Sequence, residues 1–132
     1  MVNKIFLGGT TCETPWRGEL ESVVQVPMFN PVVDDWTPKC LIAEQVEKDL
    51  NCNIHLYVIT KEMTGVYSIA EVMDSVHTSG KIAILHIIPE GFDEGQLRSL
   101  QGVVNLVQKN GGIAYIDNDL MRTARILNNC FK

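Results

Sequence analysis

Two adjoining stretches decide the fold: NIHLYVIT (residues 53–60) and, two residues later, MTGVYSIAEVMD (residues 63–74). The first is apolar at nearly every position, the mark of a strand covered on both faces in a parallel sheet. The second turns at a glycine and takes up a helical pattern, so the pair reads as the strand and helix of a βαβ unit. On either side, KIFLGG (4–9), VVQVPMF (23–29), KIAILHII (81–88) and GIAYID (112–117) supply four more strands. Helical periods lie between them. In residues 37–50, Ile42, Val46 and Leu50 recur every fourth position as a stripe for burial, with Glu44 and Lys48 as a favourably ordered pair. Asp93 reads as the N-cap of a helix that buries Leu97, Leu100, Val104 and Val107 and stops at Asn110, Gly111 and Gly112. Asn118 or Asp119 opens a last helix with Leu120, Ala124, Leu127 and Phe131 on its buried side, whereas residues 12–22, with Pro15, support only a short one.

This rhythm predicts a doubly wound α/β domain with a five-stranded parallel sheet, flavodoxin- or Rossmann-like, in the order 2-1-3-4-5. A chain of 132 residues with 45% hydrophobic content fits one such domain. Eleven scattered basic residues and a net charge of -5 argue against a nucleic-acid partner. No apolar run suits a membrane span or a secretory signal, so the expected location is cytoplasmic. Cys12, Cys40, Cys52 and Cys130 have no CxxC spacing and read as reduced thiols.

Ligands of such sheets bind beyond the carboxyl ends of the strands. The expected lining there is Gly8, Gly9 and Thr10, then Asn30 with Asp34 and Asp35, then residues 60–68, Pro89 with Glu90, and residues 117–119. LGGTT is neither GxGxxG nor a Walker sequence, so no nucleotide cofactor is expected. Arg17 offers a fork for a phosphate or carboxylate. Cys52 and His55 fall on opposite strand faces, and no metal is expected. His77 belongs to the last turn of its helix, and His86 reads as a core or interface histidine. Ser68 to Glu71 fits S-x-x-E, a capping box in which Ser68 accepts from the helix backbone and Glu71 folds back on the Ser68 amide. The same Glu71 also stands after the central strand, where a ligand belongs.

Taken together, KIFLGGT, FNPVVDDW, LYVIT and GVYSIAE resemble the nucleoside 2-deoxyribosyltransferase superfamily, in particular its nucleoside deoxyribosyltransferase-like branch. The resemblance runs from Lys4 to about Gly112, and its most specific part is G-x-x-x-x-x-E from Gly65 to Glu71. It implies that Glu71 is the nucleophile at the anomeric carbon of a nucleoside, forming a covalent glycosyl intermediate. It further implies that Tyr67 orients Glu71, that Gly8, Gly9, Thr10, Asn30, Gly65 and Ser68 surround the sugar, and that Gly9, Ser68 and Arg17 take a 5'-phosphate. Asp34 or Asp35 would bind the base or protonate it. Where the transferases carry an acid this chain has Gly65, so transferase and hydrolase both stay open. The implied partner is a small-molecule nucleoside or nucleotide, in a homo-oligomer. The alternatives are a non-catalytic nucleotide-binding protein that senses or sequesters its ligand, and an interaction module in which Glu71 only caps.

Overall fold

The computed structural model describes residues 2–11, 14–33 and 35–132. Five strands, β1 (Ile5–Gly9), β2 (Met28–Phe29), β3 (Ile54–Ile59), β4 (Ile82–Ile87) and β5 (Ile113–Ile116), pair in parallel in the order β2-β1-β3-β4-β5. The helices are α1 (Trp16–Glu21), α2 (Pro38–Val46), α3 (Tyr67–His77), α4 (Glu94–Lys109) and α5 (Met121–Cys130), and a π-helical turn, Glu47–Asn51, runs on from α2. The expected fold class and strand order are those observed.

Alternation along each strand makes the two layers. Ile5, Leu7, Ile54, Leu56, Val58 and Ile84 pack with Trp16 and Leu20 of α1 and with Ala124 and Leu127 of α5. Tyr57, Ile59, Leu85 and Ile87 point the other way, onto Val72 of α3 and Leu100, Val104 and Val107 of α4. Asp93 caps α4 as expected, accepting from the Gln96 amide at 2.7 Å while Gln96 returns to the Asp93 amide at 3.0 Å. Among the described residues no helix is long and apolar enough to cross a membrane.

Three local expectations change. The expected strand at 23–29 is reduced to Met28–Phe29, because Val24 and Val26 reach the core from irregular backbone rather than along a ladder. The last helix opens at Met121, whose amide donates to Asp119 Oδ1, and Phe131 lies beyond its end. The largest change is in α2. It buries no residue at all, and Ile42, Val46 and Leu50 are 66%, 44% and 77% exposed. Its apolar stripe faces outward, while Glu44 and Lys48 turn in.

Candidate functional site

A cavity of about 300 Å³ opens beyond the carboxyl ends of β1 and β3, where the strand order reverses direction in sequence. Its size is at the lower end of the ~300–1,000 Å³ usual for small-molecule sites. Gly8, Gly9 and Thr10 form its floor. The glycines are required on steric grounds: a Cβ on Gly8 would come within 2.5 Å of the Tyr57 ring, and Gly9, at φ +99°, faces the Val58 carbonyl oxygen 2.2 Å from where its Cβ would stand. Thr10 is fixed in turn by donating its amide to the Val58 carbonyl and accepting the Thr60 amide on its hydroxyl.

Glu71 enters the cavity from α3. The helix begins at Tyr67 after Val66, with no side-chain cap, so the expected capping box is absent: Ser68 stands inside the first turn and Glu71 does not fold back. Instead, Glu71 Oε2 accepts from Lys48 Nζ at 2.9 Å in a buried ion pair. A charged lysine is a better partner for a carboxylate withdrawn from bulk water than a neutral amide is. Glu71 Oε1 has no hydrogen-bond partner among the described residues, and it is not a sealed, unsatisfied atom, so it is the oxygen open to the cavity.

Lys48 owes its place to the π-helical turn, which closes with the Cys52 amide donating to the Glu47 carbonyl. Its ammonium lies 5.9 Å from the Phe6 ring centroid and 6.0 Å from that of Tyr57. Burial opposes its charge, but the hydrogen bond to Glu71 and the nearby Tyr57 outweigh burial and hold its pKa above the ordinary lysine value. The Lys48 carbonyl accepts from His55 Nε2 at 2.8 Å. A carbonyl only accepts, so Nε2 carries the proton and Nδ1 takes the Ser75 hydroxyl hydrogen, whose oxygen is then free to accept from Tyr57. Burial lowers the pKa of His55 and pushes that of the Tyr57 phenol up to about 12, so both groups stay neutral.

Arg17 lines the cavity but is neither a solvated arginine nor a free fork. It is 5% exposed and spends its guanidinium on the carbonyls of Leu7, Gly9 and Thr10, at 2.6–3.4 Å. Burial brings its pKa down to about 10, which leaves it charged at neutral pH, stacked 4.3 Å from the Trp16 ring. Among the described residues no carboxylate bonds to it, so its charge contributes to the potential in the cleft.

Of the residues expected here, Gly8, Gly9, Thr10, Arg17, Gly65, Tyr67, Ser68 and Glu71 all line this cavity. Tyr67 stands at the mouth, 66% exposed, and Lys48, not Tyr67, orients Glu71. Asn30 turns aside, donating to Glu21 Oε1 and accepting the Val32 amide, and leaves Pro31 on the wall. Asp35 is exposed and outside the cavity, and Asp34 lies outside the described residues. Glu90 and Asn118 belong to a separate hollow, with Trp16 and Lys61.

Glu44 and Lys48 were missed. Glu44 shares the cavity wall with Glu71, and burial, then the charge of Glu71, raises its pKa, against the pull of Lys48 and Arg17. As an i, i+4 pair beside an apolar stripe, the two have the pattern of a solvated helix face, and no local signal says that this helix is turned inside out. No protein-family model matches the chain, and neither the curated proteins nor the solved structures give a match.

Proposed function

We propose that the protein acts at the N-glycosidic bond of a (deoxy)nucleoside or its 5'-monophosphate, by hydrolysis or by transfer to a second base, with Glu71 as the nucleophile. One observation carries this reading: the Glu71 carboxylate is held by Lys48 through Oε2 and leaves Oε1 open to a cavity at the sheet's switch point. Oε1 attacks the anomeric carbon, the carbon–nitrogen bond breaks, and the base departs with the bonding electrons. The glycosyl ester then passes its sugar to water or to another base. The uncapped N-terminus of α3, with Ser68, suits a 5'-phosphate, since its free amides and dipole favour an anion. Arg17 supports that charge from behind the floor and does not grip it.

The ion pair also gives weight to a second reading, a nucleotide-binding protein without turnover, in which Lys48 keeps Glu71 neutralised. Incubation with a panel of deoxynucleosides and their monophosphates separates the two. Free base is expected from the wild type and none from Glu71→Gln, with the fold retained by circular dichroism. Tight binding of a nucleotide with no base released by the wild type would overturn the enzyme reading. A new nucleoside on adding a second base identifies a transferase, and free sugar alone a hydrolase.

The same reading takes the protein to be a cytoplasmic homo-oligomer. Cys40, Cys52 and Cys130 are unpaired, which suits a reducing compartment. Trp36, Leu41, Ile42, Val46 and Leu50, with Val66 and Tyr67 at the start of α3, are exposed apolar residues of the kind that mark association surfaces. Sedimentation velocity is expected to show an oligomer that Ile42→Glu with Leu50→Glu converts to a monomer; a wild-type monomer would remove this part of the proposal.

A further inference from the structure

We infer that Lys48 is a positioning residue that keeps the glycosyl ester on Glu71 short-lived, its ammonium staying at Oε2 while Oε1 carries the sugar; the inference rests on the glycosyl reading above. The two oxygens of the carboxylate are divided between two tasks. Oε2 accepts from Lys48 Nζ at 2.9 Å, and Oε1 faces the cavity. Lys48 is not among the described residues that line the cavity, so it reaches the reacting atoms only through Glu71.

The fold gives the ammonium no second place to go. Its backbone is clamped from both sides: the Cys52 amide closes the π-helical turn on the Glu47 carbonyl, and His55 Nε2 donates to the Lys48 carbonyl at 2.8 Å. Glu47, the next residue back, is itself tied to Lys4 of the β1 approach at 2.7 Å. The Lys48 side chain is 6% exposed and has the Phe6 and Tyr57 rings about it, each centroid within 6.0 Å of Nζ. Other carboxylates do not replace Glu71. Glu47 is held by Lys4 and Asn51, and Glu44, which feels the charge of Lys48, forms no ion pair with it among the described residues.

That arrangement acts in opposite senses on the two steps. In the first, Glu71 Oε1 bonds to the anomeric carbon, and the carbon–nitrogen electron pair leaves with the base, which takes a proton from water. The ester carries no charge, so Lys48 loses the anion it neutralised and becomes a buried cation without its partner, a costly state. In the second, water or an incoming base gives up a proton and bonds to the anomeric carbon, and the carbon–oxygen pair returns to Glu71. The charge that develops spreads over both carboxylate oxygens, and Lys48 meets it at Oε2. The proton given up by the acceptor makes good the one taken by the departing base, so atoms and charges balance. Lys48 thus restrains the first step and hastens the second.

The test is rapid-quench measurement of base release, with intact-protein mass, on whichever deoxynucleoside or monophosphate the wild type cleaves. The wild type is expected to show no burst of base and no added mass. Lys48→Met is expected to release one base per site in a burst, within about tenfold of the wild-type rate, and then to turn over about 100-fold more slowly than the wild type. Its mass should rise by one glycosyl group. If circular dichroism shows Lys48→Met unfolded, Lys48→Gln, which keeps a donor without the charge, is expected to give the same burst and the same added mass. Equal slowing of both steps in the folded variant would reduce Lys48 to a structural role, and a burst in the wild type would mean that the ester is not short-lived; either result overturns the inference and leaves Glu71 its own. No base from the wild type on any substrate overturns the glycosyl reading and this one with it.

Discussion

Lys48 is the residue on which the site turns. Its side chain is 6% exposed and that of Glu71 10%, so neither charge can be left alone without a large desolvation penalty. Lys48→Met is therefore expected to destabilise the fold by about 3 kcal/mol, at the lower end of the ~3–5 kcal/mol seen for broken buried pairs because the cavity wets Glu71. The double variant Lys48→Met with Glu71→Gln should regain part of that loss. Urea denaturation of the three proteins gives the comparison, and a double variant no more stable than Lys48→Met would mean that the pair is not the cause. The glycines of the cavity floor were legible in the sequence as lining, but the reason for them was not. Gly9 is glycine because its φ is +99° and a Cβ would meet the Val58 carbonyl, and Gly8 because the Tyr57 ring occupies the place of a Cβ.

Two helix starts carry the same local signal and end differently. Asp93-x-x-Gln96 forms a capping box, and Ser68-x-x-Glu71 does not. The difference is tertiary: Gln96 has only its own helix end to bond, while Glu71 meets a buried ammonium brought from another element. Asp93→Ala is thus expected to cost about 1 kcal/mol, and Ser68→Ala to stay within about 0.5 kcal/mol. Paired thermal melts check both, and a loss of a full kcal/mol in Ser68→Ala would restore the cap. For the same reason the position of Glu71 was legible and its orientation was not. Strand, loop and helix follow from hydrophobic period, but the choice between amide and ammonium depends on α2. There the period misleads, because a stripe built from Ile42, Val46 and Leu50 implies burial and gives no hint that Glu44 and Lys48 face the sheet.

Across the whole molecule, two histidines tie strands to helices by one scheme, once in each layer. His55 joins the Lys48 carbonyl to Ser75 of α3 and through it to Tyr57; His86 joins the Asp117 carbonyl to Thr123 of α5 and through it to Tyr115. Strand order could be read from apolar runs and helical intervals, but these relays could not, since each needs partners 20 to 37 residues away. They make the fold sensitive to pH. Burial lowers the pKa of both below the ordinary 6.5; for His55 the Lys48 carbonyl opposes the shift and Lys48 and Lys81 add to it, while for His86 the Asp117 carbonyl and the charges of Asp117 and Asp119 oppose it and Arg122 adds. Below pH 6.5 the unfolded chain therefore binds protons that the folded one refuses, and stability falls as pH falls, by up to about 1.4 kcal/mol per pH unit for each histidine. Glu47, Glu62 and Asp117, whose folded pKa values are depressed, add their losses only nearer their ordinary values of 4.5 and 3.8. Glu44, raised above 4.5, works in the opposite sense and gains stability as pH falls. Chemical denaturation of Glu44→Gln between pH 7 and 5.5 thus isolates the histidines. Stability should drop steadily across that range, and adding His86→Gln should make the drop shallower; a flat profile would mean that neither histidine is held neutral by the fold.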